Sequence, residues 1–350
     1  IVYSVHDENS VNISVIDGKI SNVESKNNND PSVKAANIDG KNNLIEKKFL
    51  DFQNYFEDDY VLNLNSLMLN SGYEINITAG QEVNIHITNS VSKKDLTIFQ
   101  KNLITCSRGS NVFIIEEFEN KKNSNNNIAN FIDIEEGSNV THLIFQKNCP
   151  KANLQLTSYA NCSENSNYKQ LILNFSQGSI RNHHYANLNG ENASVELDGI
   201  FFGSNNQFID NKTQINHNSP NCISSQNYKG ILTDQAKASY LSKTYVDQIA
   251  QKTEAYQLSK GILLSDNSAF HSKPELQIFA DDVKCSHGST IGPIDKDLLF
   301  YLRSRGLDKK KSTSLLIKSF FYDVISKKHH KSFVEKFNYH SNLWLSENNI

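Results

Sequence analysis

Cys285 and His287 have the side-chain types and the spacing that could face one soft metal ion or metal cluster. In an extended segment, side chains two residues apart lie on the same face, roughly 6–7 Å from each other. A thiolate and an imidazole are both ligands for soft metals. Lys284 would favour the thiolate form, whereas Asp281 and Asp282 would oppose it. Two ligands do not close a metal site, so others must come from elsewhere in the chain or from a second chain.

The spacing of these two residues also fits a structural role, as a buried cysteine and a hydrogen-bonded histidine at a turn. Other histidines are weaker candidates for chemistry. His183 and His184 are adjacent, so on a strand they face opposite ways and cannot chelate together, and we expect them at the surface. His217 precedes a turn and could meet Cys222 only if the chain folds back.

Composition excludes several classes of function. The chain has 350 residues, a net charge of −3 and a pI of about 6.4, so nothing indicates binding to nucleic acid. Five cysteines without a CxxC pair argue against a disulfide framework or a zinc ribbon. No apolar run approaches the ~20 residues of a membrane helix, and no signal-peptide pattern is present, which together predict a cytoplasmic protein. Phosphate-loop, GxSxG and HExxH motifs are absent.

The middle of the chain has the pattern of many short strands. From about residue 61, short runs of Val, Ile, Phe and Tyr alternate with Gly, Asn, Asp and Ser, as in an all-β sandwich, barrel or solenoid. Residues 226–232 recur as residues 257–263, and residues 109–112 recur as residues 137–140. Units of this size cannot bury their own apolar face, so stacking favours a solenoid over residues 61–292. Chance similarity between two hairpins of a sandwich is the alternative.

The two ends of the sequence differ from this middle part. Residues 1–60 are polar, and the aromatic positions among residues 41–60 predict a partly helical N-terminal cover. After Pro293, Asp295 can cap a helix that ends before Gly306. A second helix follows, with an apolar stripe that predicts a C-terminal helical region over residues 293–350. The stripe consists of Leu316, Ile317, Phe320, Phe321 and Val324.

Several segments near the C-terminal end match one protein family. They are residues 250–257, 263–266, 273–288 and 300–306, and they include the Cys-Ser-His-Gly run at residues 285–288. In these segments the sequence resembles the SufB/SufD family of iron–sulfur cluster assembly proteins, and SufD in particular. Weaker similarity extends back to about residue 60.

The resemblance implies a fold, partners and a site. The family fold is a right-handed parallel β-helix flanked by terminal helical regions. A SufD-like subunit pairs with a SufB-like paralogue, and the C-terminal helical region docks a SufC-like ABC-type ATPase, for which we expect Leu316, Phe320 and Phe321 to form the docking site. The transient cluster or iron is shared with the paralogue at an interface where His287 contributes a metal ligand and Cys285 plays a lesser part. A flavin is a candidate cofactor of the whole complex.

Three functions remain open on the sequence. The first is a non-catalytic, SufD-like scaffold of the cytoplasm, or of an organelle stroma, that supports iron entry and cluster formation. The second is a SufB-like subunit that carries the cluster itself, although SufB-like chains usually have an N-terminal cysteine-rich segment and this chain has no cysteine before Cys106. The third is a solenoid enzyme acting on carbohydrate, which would need paired carboxylates. The N-terminal region is shorter than is usual for the family, which predicts a truncated helical part.

Overall fold

The protein is a solenoid of parallel strands followed by helices. The computed structural model describes residues 10–25, 32–38, 59–325 and 331–350. Consecutive strands of residues 71–293 alternate between two sheets, so that each of about eight coils gives one strand to each sheet. Strands of successive coils are parallel, whereas hairpins of a sandwich would pair antiparallel neighbours. The prediction of a stacked solenoid with C-terminal helices is confirmed.

The strands and helices of the described residues have the following bounds. The first sheet contains, in spatial order, β2 (Lys19–Glu24), β1 (Ser10–Ile16), β5 (Glu82–Ser90), β7 (Asn111–Phe118), β9 (Asn139–Gln146), β11 (Asn167–Asn174), β13 (Ser194–Gly203), β15 (Ile223–Leu232), β17 (Thr253–Leu263) and β19 (Val283–Pro293). The second contains β3 (Val33–Asn37), β4 (Ser71–Ile77), β6 (Leu96–Cys106), β8 (Ser124–Ile134), β10 (Ala152–Cys162), β12 (Ile180–Leu188), β14 (Phe208–His217), β16 (Lys237–Val246) and β18 (Ala269–Ile278). The helices are α1 (Tyr60–Met68), α2 (Lys296–Ser304), α3 (Lys309–Ile325) and α4 (Lys331–Glu347).

The sequence repeats coincide with the register of the coils. Residues 226–232 lie directly beside residues 257–263 on neighbouring strands, and Asn111 lies beside Asn139. Both copies of the longer repeat contain a glycine at the same rung because an aromatic ring fills the interior there. A Cβ atom on Gly230 would stand 2.1 Å from the ring of Phe201. The period of the sequence is therefore the period of the coil.

A buried polar network lies inside the solenoid among the aliphatic side chains. Glu116 and His142 are completely buried, and Glu116 Oε2 lies 3.1 Å from His142 Nε2. Asn130 donates a hydrogen bond to the same carboxylate at 2.9 Å, and the other ring nitrogen of His142 lies 3.2 Å from the hydroxyl of Tyr168. Buried polar groups without partners are costly, so this network disfavours a shift of strand register.

The N-terminal segments extend the sheets. Strands β1 to β3 lie in the part of the chain that sequence analysis assigned to a polar, partly helical cover. Val11, Ile13 and Val15 alternate into the core, and this short period-two pattern was the missed signal. β2 pairs antiparallel with β1, and β3 pairs antiparallel with β4. Residues 39–58, which include most of the positions expected to form a helix, lie outside the described residues.

The C-terminal helices begin where the sequence predicted. Asp295 caps α2 by accepting the N–H groups of Asp297 and Leu298, and Gly306 takes the positive φ of +90° just after the helix. The segment after Lys327, within the region that the sequence predicted to be helical, consists mostly of α4. None of the helices in the described ranges is long and apolar enough to cross a membrane.

Adding one methyl group at Gly230 tests this packing. We expect Gly230→Ala to lower the free energy of unfolding by about 1–3 kcal/mol, because the new Cβ must displace the ring of Phe201. Gly292→Ala is the matched control: it is also a strand glycine, and a Cβ there meets no atom within 4 Å. Urea denaturation of both variants measures the difference, and equal stabilities would contradict the packing described.

Candidate functional site

The strands at the two ends of the solenoid differ in whether another strand pairs with their outer edge. At the N-terminal end the antiparallel strands β2 and β3 close the sheets, and the side chain of Asn37 bonds to both backbone groups of Ile20, at 2.7 and 3.0 Å. At the other end, β19 pairs only with β17 and β18 only with β16, within the part of the chain that the structure describes. The last coil thus leaves one side of each strand unpaired, as an exposed sheet edge does.

Cys285 and His287 lie on this last coil and face its interior side. On β17, the residues directly beside them are Ala255 and Gln257, and both of those are buried. Side chains at the same rung of neighbouring parallel strands project in the same direction. No further coil of the described residues covers this rung, so Cys285 is only partly buried and His287 is exposed. The two candidate ligands therefore share one face, at the open end of the solenoid.

Cys285 has the character of a neutral thiol. Burial raises its pKa, opposed by a hydrogen bond from the backbone of Ala255. It packs beside Val246 and Ala250. Lys284 lies on the opposite face of the strand, where its ammonium binds Glu254 at 2.8 Å. The expectation that Lys284 favours the thiolate is therefore not supported by this geometry.

The rung below His287 is held rigidly by hydrogen bonds. The side-chain amide of Gln257 donates to the hydroxyl of Thr244 at 2.8 Å and to the carbonyl of Glu275 at 3.1 Å. Its oxygen accepts from the hydroxyl of Ser242 at 3.2 Å. These bonds join the two sheets across the interior. His287 therefore lies next to Gln257, a side chain that is fixed by three hydrogen bonds.

The open end alone does not complete a metal site. Across the described ranges, no group of three or more His, Cys, Asp or Glu side chains is placed to hold a metal ion. Cys285 and His287 can contribute two ligands from this face, and two ligands do not close a metal site. Asp281 and Asp282 are exposed in the turn before β19 and lie outside this face.

His183, His184 and His217 occupy structural positions. His184 is completely buried in the interior, where burial lowers its pKa well below the usual value. His183 lies on the opposite, outer face, 2.8 Å from Asp210, and is also largely covered. The expectation of surface histidines at this pair is thus wrong. His217 is buried and lies 2.8 Å from the hydroxyl of Ser224, not against Cys222.

The C-terminal helices pack on the outer face of the first sheet. Phe321 is completely buried, with its ring 5.1 Å from that of Phe202 and 5.8 Å from that of Phe337. This apolar cluster contains side chains of both helices and of the sheet beneath them. Of the three residues expected to dock an ATPase, Phe321 belongs to the internal core, while Leu316 and Phe320 are half-buried.

Ion pairs at the margin of this cluster fix the helices on the sheet. Lys229 is nearly buried and binds Asp323 at 2.5 Å and the carbonyl of Phe320 at 2.8 Å. Lys336 of α4 binds Glu117 of β7. Burial works against the Glu117 carboxylate, but hydrogen bonds from His86 and Lys336 outweigh it and lower its pKa to about 2. These two ion pairs join α3 and α4 to the strands beneath them.

Exposed apolar side chains remain on the helices beside this core. Leu315 and Tyr322 of α3 are 48% and 69% exposed, and they line a groove of about 480 Å³ together with Val334 and Phe337 of α4. Helix α2 buries none of its residues, and Phe300 on it is 73% exposed. Large apolar residues so exposed on two adjacent helices are typical of a protein-binding surface.

The fold and the site together define a solenoid whose open end presents a histidine and a cysteine and whose helices expose an apolar surface. The family model for the SUF system FeS cluster assembly SufBD core domain matches residues 86–320. The chain therefore belongs to the SufBD family of iron–sulfur cluster assembly proteins, which confirms the resemblance found in the sequence.

Curated relatives support the same family. SufD of Escherichia coli is 36% identical over 141 residues, which cover 40% of this chain and 33% of SufD. A SufBD family protein of Synechocystis is 42% identical over 119 residues, covering 34% of this chain and 26% of the relative. The chloroplastic protein ABCI7 of Arabidopsis thaliana is 37% identical over 139 residues, covering 39% and 29%. The matches thus span about a third or less of each relative's length.

Proposed function

We propose that this protein is a SufD-like, non-catalytic scaffold subunit of an iron–sulfur cluster assembly complex. The observation that carries the proposal is the uncovered last coil, which sets His287 and Cys285 on the interior-facing side of an unpaired strand. Membership of the SufBD family and similarity to SufD support a role of that coil in iron–sulfur cluster assembly. The relatives named include a bacterial SufD and a chloroplastic protein, so the proposed compartments are a cytoplasm or an organelle stroma.

In this proposal, the unpaired edges of β18 and β19 bind the corresponding strands of a SufB-like paralogue. Backbone N–H and C=O groups at a sheet edge pair readily with a strand of another chain. The open end would then become an interior junction between two solenoids. His287 would supply an imidazole ligand to iron or to a nascent cluster at that junction, and the paralogue would supply the remaining ligands. Flavin, if it takes part, belongs to the assembled complex.

The proposed alternatives account for less of the structure. A carbohydrate-active solenoid would need two carboxylates facing one groove. Asp281 and Asp282 are adjacent residues of an exposed turn, and the carboxylate of Glu116 is sealed inside the solenoid. A SufB-like subunit would need thiols able to carry the cluster, whereas Cys106, Cys162 and Cys222 are buried. For Cys106 and Cys162, burial raises the pKa far above the usual value.

Replacing His287 tests the proposed ligand. We expect His287→Ala to leave assembly with the SufB-like and SufC-like partners intact, because an exposed side chain contributes little to packing. The iron and sulfide that co-purify with the native complex should fall about tenfold or more, as expected when a ligand is lost. Cys285→Ala should have a smaller effect, since its thiol is largely neutral.

His271→Ala provides the control for this experiment. His271 is also exposed on the last coil, but it lies on the outer face of β18. The His271→Ala variant should leave the iron and sulfide content of the complex unchanged. Full cluster content in the His287→Ala complex would remove the ligand role, and failure of that complex to assemble would make His287 an interface residue instead.

The ATPase is proposed to dock on the helical groove, through the exposed neighbours of the residues named from the sequence. We expect Leu315→Asp combined with Tyr322→Asp to weaken binding of the SufC-like ATPase about tenfold or more, because both side chains line the groove. Ile249→Asp is the control, since Ile249 is equally exposed but lies at a solenoid turn. Pull-down and thermal melting are measured together. Unchanged ATPase binding by the double variant at unchanged stability would exclude this surface.

A further inference from the structure

A cavity lies between α4 and the segments that follow strands β7, β9 and β11 of the first sheet. Its volume is about 300 Å³. Sites for small molecules measure roughly 300–1,000 Å³, so this cavity has the size of a small site. None of its lining residues belongs to the groove assigned to the ATPase, and none belongs to the last coil that carries His287. We call it the α4 cavity.

One buried amide in the wall of the α4 cavity has no partner. Asn120 lines the cavity and is 4% exposed. Within the described part of the chain, its side-chain oxygen accepts no hydrogen bond and its side-chain nitrogen donates none. A buried polar group that lacks a partner is costly. A ligand that offers the amide both a donor and an acceptor would remove this cost.

The backbone of Asn120 is fixed, so its amide is held in place before any ligand arrives. Its backbone N–H donates to the side-chain oxygen of Asn148 at 3.1 Å. Its backbone carbonyl accepts from the N–H of Cys149 at 2.9 Å. A binding group that is already ordered loses little entropy when the ligand binds.

The apolar part of the cavity wall is aromatic. Phe175 and Trp344 line it, and both belong to the core that joins α4 to the first sheet. His340 of α4 also lines it, with its ring 5.7 Å from that of Phe175. Burial is the main cause that lowers the pKa of His340 to about 4, so its ring is neutral at pH 7. Such a wall suits a flat, uncharged ring.

The charged residues at the cavity are balanced in sign. Lys121 and Lys147 line it together with Glu119 and Glu347. Lys121 and Glu119 pair with each other at 3.7 Å. Two positive and two negative side chains favour neither an anion nor a cation. Selection of a ligand therefore depends on the amide of Asn120 and the aromatic wall.

These features together define the chemistry of a ligand. The side-chain amide of an asparagine pairs through both of its polar atoms with an edge that presents a donor beside an acceptor, as adenine does. We propose that the α4 cavity binds an uncharged nucleoside of the adenine type. Its amino group donates to Asn120 Oδ1, and the neighbouring ring nitrogen accepts from Asn120 Nδ2. This site is independent of the cluster site proposed for the last coil.

The first test uses the fluorescence of Trp344, which is the only tryptophan of the sequence. Adenosine is titrated into the full chain, and we expect a saturable change in emission because Trp344 lines the cavity. Purine riboside lacks the amino group and should bind about threefold to tenfold more weakly, as loss of one hydrogen bond predicts. This comparison uses only the unmodified chain.

Replacing Asn120 tests its role directly. We expect Asn120→Leu to weaken adenosine binding about tenfold or more, because both hydrogen bonds of the amide are lost. Its melting temperature should not fall, since the amide that it removes has no partner. Asn125→Leu is the control: Asn125 is exposed on β8 and does not line the cavity, so this variant should bind adenosine as the parent chain does.

Alkylation of the cysteines locates the ligand. Cys149 lines the α4 cavity and Cys285 lies on the last coil, and both are only partly buried. We expect adenosine to slow the reaction of Cys149 with iodoacetamide about threefold or more, since a bound ligand covers the thiol. The rate at Cys285, measured by peptide mass spectrometry in the same sample, should stay unchanged.

Three results would overturn the proposal. Absence of a saturable change in Trp344 emission at millimolar adenosine would remove the nucleoside as a ligand. Equal affinity for adenosine and purine riboside would show that Asn120 does not read the base edge. Tighter binding of adenosine monophosphate than of adenosine would contradict the preference for an uncharged ligand and indicate an anion site.

Discussion

Parallel stacking of coils is the constraint on which the rest of this structure depends. Each coil buries its interior side chains and pairs its backbone only by lying against the next coil. The first and last coils have a neighbouring coil on one side only, so their outer strand edges must be covered in another way. The N-terminal end reverses direction with β2 and β3, and Asn37 bonds to the backbone of Ile20. In the described residues the C-terminal end has no such closure, and the candidate cluster site lies there because of it.

The C-terminal helices cover apolar side chains on the outer face of the first sheet. Phe202 and its apolar neighbours on the first sheet face outward and would be exposed without α3 and α4. The aromatic cluster and the ion pairs of Lys229 and Lys336 fix both helices on that face. The helices that form the exposed groove therefore pack directly on the solenoid whose last coil is open. α2 follows β19 after two residues and connects these two surfaces directly.

The features that could be predicted from the sequence have a local or periodic cause. The repeat of residues 226–232 and 257–263 follows from the coil period, and the cap at Asp295 depends only on its neighbours. Which side of an element is buried depends on what packs against it. A helical stripe containing Phe321 predicts an apolar contact but cannot tell internal packing from a docking face. Adjacent His183 and His184 must face opposite ways, yet the sequence does not say that both faces are covered.

Two elements were not delimited from the sequence, for reasons that are also physical. β1 carries only three alternating aliphatic residues in a polar, Asn-rich context, so its strand pattern is short. α4 has few apolar residues, and Phe333, Phe337 and Trp344 form a helical stripe only when they are read together. The role of Lys284 was misjudged because its neighbour in sequence, Cys285, lies on the other face of the strand. Pairing across strands, which sequence alone does not give, places it on Glu254.

The central claim is that the unpaired edges of β18 and β19 in the last coil bind strands of a second chain. Amide hydrogen exchange of β18 and β19, measured in the isolated chain and after addition of the SufB-like paralogue, tests it most directly. The account predicts fast exchange at the unpaired amides of residues 269–293 in the isolated chain and strong protection in the complex, while β9 and β11 remain unchanged. Equal exchange at residues 269–293 in both states, with the complex shown to have formed, would contradict it.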